Sequence, residues 1–97
     1  MPMTVCITRD VPDRTRGFLS SVMPELAPGV YVSGDLSQAV RDRILTVLTE
    51  WHYATATQGS VILVWKEQSQ AGGIGIKAIG TPKREIIDLD GVLVSKW

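Results

Sequence analysis

An apolar run ends at Thr8-Arg9-Asp10, turns through Val11-Pro12 and reopens as Asp13-Arg14-Thr15-Arg16-Gly17, bringing carboxylates and guanidinium groups within a few residues of each other. That combination suits phosphate chemistry. Arginine offers a fixed fork of donors for phosphate oxygens, and a carboxylate can hold the metal ion that polarises a scissile bond. The pattern predicts that Asp10, Arg14 and Arg16 converge on one exposed corner, and nucleic acid is the first partner it suggests.

The whole chain gives no global electrostatic support, since its ten basic and ten acidic side chains sum to zero. Binding to nucleic acid must rest on local clusters. Arg9, Arg14 and Arg16 form one, and Lys83-Arg84 another. Ninety-seven residues, 44% hydrophobic and 21% charged, describe one folded domain over residues 1–97. A chain of this size buries only about 60–65% of its unfolded surface, so help from a partner chain is expected. Cys6 is the sole cysteine, which excludes an intramolecular disulfide and a thiolate zinc site and fits a reducing compartment. The first apolar run is too short for a signal peptide, and no apolar segment nears the roughly 18–20 residues of a membrane span. A cytoplasmic protein without membrane contact is expected.

The elements that must position these residues follow from periodicity. Thr4-Val5-Cys6-Ile7-Thr8 reads as a buried strand, with Cys6 a small apolar core residue. Pro12 suits the first turn of a helix, in which Phe18, Leu19, Val22 and Leu26 form an apolar stripe until Pro24 and Pro28 end it. Gly29 to Ser33 is a second strand. Asp35-Leu36-Ser37-Gln38 has capping-box spacing for a second helix, with Leu36, Val40, Ile44, Val47, Leu48 and Trp51 inward and Arg41, Asp42, Thr46, Thr49 and Glu50 towards solvent. Ser60–Lys66 and Ile74–Ile79 pair as a hairpin through Gln70-Ala71-Gly72-Gly73, and Ile86–Val94 reads as a last strand.

Two helices among four or five strands predict an α+β, two-layer sandwich with both helices on one face of the sheet. An appended terminal strand has an open edge that a second subunit would satisfy, so a homodimer is expected.

In these residues the chain resembles the second CRISPR-associated protein family, the small subunit of the spacer-acquisition complex, in its subtype I-E form. The likeness rests on Val11-Pro12, Arg14-Thr15-Arg16-Gly17, Ala27-Pro28-Gly29-Val30-Tyr31-Val32, and Lys83-Arg84 leading into Ile87-Asp88-Leu89-Asp90-Gly91, in that order over nearly the whole length. The resemblance implies a ferredoxin-like dimer whose C-terminal strand pairs across subunits and which holds duplex prespacer DNA between two dimers of the CRISPR integrase subunit. It implies phosphate contacts at Arg14, Arg16, Lys83 and Arg84. A further basic position of the family is Ala39 here, with Arg41 nearby as a substitute. Residues 85–97 match the docking or swapped segment, with Ile87, Leu89, Val92 and Val94 as its apolar contacts. Many members are metal-dependent endonucleases with an Asp-x-Pro pattern, which Asp10-Val11-Pro12 fits and which makes Asp10 the catalytic and Mg²⁺-binding candidate. The subtype I-E form places its acid one position earlier, at Arg9 here, and a one-residue step on a strand reverses the side chain's face.

Plainer roles compete with each of these. Asp10 or Asp13 before a helix compensates its dipole by default. Arg14, Arg16, Lys83 and Arg84 read equally as solvated surface charges, Asp88 and Asp90 as an exposed strand face, and His52 as a helix C-terminal or surface residue. Gly72, Gly73 and Gly75 join two strands and make no dinucleotide fingerprint. Trp51 and Trp65 read as core, and Trp97 as a frayed end or a partner anchor. Three classes stay open: a DNA-binding scaffold, a metal-dependent nuclease centred on Asp10, and a regulatory dimer that binds a small metabolite.

Overall fold

The β-branched run at the start of the chain forms β1 (Thr4–Arg9), the central strand of a five-stranded antiparallel sheet. The computed structural model describes residues 3–55, 59–80 and 85–96; Lys83, Arg84 and Trp97 lie outside the described residues. After β1 come α1 (Asp13–Val22), β2 (Glu25–Ala27), β3 (Val30–Ser33), α2 (Gln38–Thr55), β4 (Ser60–Lys66), a single 3-10 turn at Ala71–Gly73, β5 (Ile74–Gly80), β6 (Glu85–Leu89) and β7 (Val92–Lys96). Spatial order is β2-β3-β1-β4-β5, with β6 and β7 forming a separate two-stranded sheet. The β2-β3-β1-β4 portion, interrupted by α1 and α2, has the arrangement of a ferredoxin-like sandwich, and β5 extends it at one edge.

Strand alternation decides which face carries the core. Cys6 stands opposite Tyr31 on one side and Leu63 on the other. With Val61 and Ile79 they are buried against Leu19 of α1, Met23 just after it, Leu36 just before α2, and Ile44 and Leu48 of α2. Both helices cover this one face, as the sequence predicts. Burial pushes the Cys6 thiol up to about 12, which leaves it a small apolar residue at neutral pH. Among the described residues the opposite face carries no helix, and it is lined in register by Val5, Ile7, Val30, Val32, Ile62, Val64 and Ile76.

Four expectations need correction. Leu26 does not belong to the stripe of α1, because Met23 is already extended, its N–H bonded to Leu19 O, and Pro24 cannot continue the ladder. Residues Glu25–Ala27 instead add a short edge strand to β3, which leaves Leu26 68% exposed. The cap of α2 is Ser37, two residues later than the spacing suggests. Its hydroxyl accepts the Val40 N–H at 3.2 Å and its carbonyl the Arg41 N–H at 2.9 Å.

That start turns Val40 outward, 42% exposed, and brings Arg41 inward to 4%, where its guanidinium lies 4.2 Å above the Trp65 ring. The aliphatic stem of arginine packs along apolar surface, and its planar head can stack on the ring, which the compact ammonium of lysine cannot. The last strand is a hairpin, for Asp90 (φ 53°) and Gly91 (φ 85°) both take the left-handed backbone of a two-residue type I′ turn.

Candidate nucleic-acid interface

Asp10 follows β1 with φ 56°, a left-handed conformation that Asp tolerates better than most residues. The turn is braced by residue 59. A Cβ there would lie 2.4 Å from the Asp10 carbonyl oxygen and 2.5 Å from that of Arg9, so only glycine lets the two segments pass this closely. Pro12, extended at ψ 157°, then delivers the chain into α1 without a side-chain cap, and its carbonyl receives the N–H groups of Thr15 and Arg16. Arg9, Asp10, Arg14 and Arg16 are all exposed.

The two arginines do not share one corner. Positions two apart on a helix differ by about 200° around its axis, and here they lean to opposite flanks. Arg14 turns towards α2, where its guanidinium lies 4.1 Å over the Trp51 ring, while Trp51 meets Phe18 edge-on at 5.4 Å and 68°. Arg16 turns towards β2, with Nη2 3.7 Å from Glu25 Oε2. The same oxygen accepts the Gly29 N–H at 3.0 Å, and this hydrogen bond, ahead of Arg16, holds the Glu25 carboxyl below its ordinary range. Beneath them sits Tyr31, fully buried. Burial raises its phenol, and Arg16, Glu25 and Ser20 are the polar neighbours of its hydroxyl. The first turn of α1 therefore presents one guanidinium on each flank.

Between that turn and the end of α2 lies a small recess walled by Val11, Pro12, Arg14, Thr15, Trp51, His52 and Ser60. It explains why neither Trp51 nor His52 is fully buried. Trp51, read as core from its place in the apolar stripe, is half-buried and carries an arginine on its face. Trp65 is also half-buried, lying across Gly75, where an added Cβ would touch the indole. Arg41, expected to face solvent and offered as a phosphate contact, is instead sequestered against that indole.

No group of three or more His, Cys, Asp and Glu residues gathers as a metal-binding set among the described residues. Asp10 supplies a single carboxylate at its corner. Mg²⁺ commonly keeps several waters and takes one or two carboxylates. A pair of Asp10 side chains from two copies would fit that chemistry better than one chain alone.

The C-terminal hairpin is more orderly than its sequence suggested. Its register pairs Ile87 with Val94 and Leu89 with Val92, so the four candidate docking residues share one face, with Leu89 and Val92 56% and 62% exposed. The other face carries Asp88 and Leu93. Leu93 packs towards Gly72, and Leu93 and Asp88 line a groove with Trp65 and the start of β5. Asp88 Oδ1 accepts the Gly91 N–H at 2.7 Å, so this carboxylate shapes the turn.

Two contributors escaped the sequence reading. Glu25 was hidden because α1 was expected to run on through it, and Trp51 because the apolar period says only that a residue faces inward. A lone acid between two prolines before a Gly-Val-Tyr-Val strand is the one signal that pointed to Glu25. Among the described residues no helix is long and apolar enough to cross a membrane. A family model described as CRISPR-associated protein (Cas_Cas2CT1978) matches residues 3–94, and the chain belongs to that family.

Proposed function

We propose that the protein acts in CRISPR spacer acquisition, in the manner of the subtype I-E form, as a dimeric scaffold that holds duplex prespacer DNA through its phosphates. The observation that carries this reading is the presentation of Arg14 and Arg16 on the two flanks of one helix start, in a chain of a CRISPR-associated family. Contacts made through arginine to phosphate position a duplex without reading its bases, which favours recognition of backbone and shape over sequence. Lys83 and Arg84 remain proposed contacts. Arg41 is assigned none, because its head is already buried against Trp65.

Two surfaces support the partners. The helix-free face of the sheet is apolar across β3, β1, β4 and β5, which suits a second copy, and the outer edge of β5 is open to a strand from that copy. The outward face of the β6–β7 hairpin suits an integrase subunit, because its four apolar side chains form one patch that the rest of the chain leaves exposed at Leu89 and Val92. A cytoplasmic location follows from this role.

The test is fluorescence anisotropy with a short duplex at several salt concentrations. Wild type is expected to bind with steep salt dependence, and Arg14→Ala/Arg16→Ala to lose affinity and flatten the slope of log K against log salt by about 0.9 per lost contact in each subunit. An unchanged slope would remove both arginines from the interface.

A second reading, Mg²⁺-dependent phosphodiester cleavage, rests on the exposed Asp10 at its braced turn. It requires that Asp10→Asn abolish cleavage while binding persists. Cleavage that survives the substitution ends that reading.

A further inference from the structure

We propose that Trp51 is the positioning residue for Arg14, and that it makes Arg14 the leading phosphate contact of the pair. The inference rests on the nucleic-acid reading above and adds to it which arginine dominates and why. An exposed arginine on a helix samples many rotamers, and fixing it at a phosphate costs side-chain freedom. At Arg14 much of that cost is met within the folded chain, because the guanidinium already lies 4.1 Å over the indole of Trp51. The indole is in turn fixed by the edge of Phe18 on α1, the helix that carries Arg14. A stacked guanidinium keeps its charge and its N–H donors, since the attraction comes from the ring face and consumes no hydrogen bond.

Arg16 is held differently. Its restraint is the Glu25 carboxylate, which neutralises the charge that a phosphate would meet and must be displaced or shared on binding. Stacking prepares Arg14 for an anion, and pairing detains Arg16. Among the described residues Arg14 has no carboxylate within ion-pair distance.

The experiment is a double-mutant cycle on the full chain, read by anisotropy with the same duplex, using Arg14→Ala, Trp51→Leu, the combination, and Trp51→Phe. Thermal unfolding of each variant reports folding separately. Trp51→Leu is expected to weaken binding about two- to fivefold, the scale of one solvent-exposed cation–π contact. Trp51→Phe, which keeps a ring face, should restore most of the affinity, and Trp51→Leu should add nothing once Arg14 is alanine. If the leucine variant does not fold, Trp51→Met completes the cycle with a similar apolar volume.

An equal loss from Trp51→Leu with and without Arg14 would reduce Trp51 to packing and overturn the proposal, leaving the DNA-binding reading intact. No loss from Arg14→Ala would overturn the proposal and remove Arg14 from the interface, leaving the DNA-binding reading to the double variant with Arg16.

Discussion

Glu25 serves two neighbours with one oxygen, and the two services can be separated. Accepting the Gly29 N–H fixes the β2–β3 turn, while pairing with Arg16 places a negative charge beside one of the proposed phosphate contacts. Glu25→Gln keeps an acceptor for Gly29 and removes the charge. It is therefore expected to tighten duplex binding a fewfold at low salt, an advantage that screening removes as salt rises. Glu25→Ala, which loses the turn as well, should lower the thermal midpoint. Because the folded carboxyl titrates below its ordinary 4.5, the stability it supplies is present above that value and lost as pH falls through the lowered folded value. A comparison of melting temperatures from pH 7 to pH 3 should show wild type losing stability relative to Glu25→Gln only in that acidic window.

Cys6 gives the opposite sign. With its thiol at about 12 in the fold against an ordinary 9.0, stability should fall as pH rises from 9.0 towards 12. A thiol-specific disulfide reagent at pH 8 should label it only as fast as the chain unfolds. Prompt labelling of the native protein would contradict its burial.

At the level of elements, much of the layout was legible because strand and helix periods are local properties. β1, β3, β4, β5 and the body of α2 lie close to where apolar alternation and the 3.6-residue stripe place them. What was not legible depends on contacts across the fold. A charged residue inside a helical stripe reads as solvent-facing, and only the nearby Trp65 ring makes the inward turn of Arg41 favourable. The split of the arginines was legible in principle, since a two-residue step on a helix cannot keep both on one side. Asp90-Gly91 was an available hairpin signal lost within an apolar run.

The glycines test this scale. Gly59 (φ 110°) has backbone oxygens where a side chain would go, whereas Gly91 (φ 85°) has open space. Gly91→Ala should cost about 1 kcal/mol from its backbone angle alone. Gly59→Ala should cost more, about 2–4 kcal/mol, because it must also push back the Arg9–Asp10 turn. Denaturant midpoints decide the order, and a Gly59→Ala variant no weaker than Gly91→Ala would mean the turn at Asp10 is not braced there.

For the whole molecule, the imbalance between the two faces of the sheet matters most. One face is filled by both helices, and the other presents aliphatic side chains from four strands without a helix to cover them. A small domain has little apolar burial to forgo, so a second copy on that face would stabilise the fold and set two pairs of arginines at a fixed spacing. Ile7 and Ile62 are cross-strand partners near the centre of the face and are 45% and 36% exposed in one chain. Lysine at either position can extend to water in a monomer at small cost. In a paired face the same charge loses its hydration and finds no carboxylate, which is severe in a packed interface. Ile7→Lys and Ile62→Lys are thus expected to convert a dimer into a folded monomer, as read by light scattering on a sizing column. With half the phosphate contacts present, the salt dependence of duplex binding should fall to about half its slope. Variants that stay dimeric with the full slope would move the subunit contact away from this face, leaving the open edge of β5 or the β6–β7 hairpin to carry it.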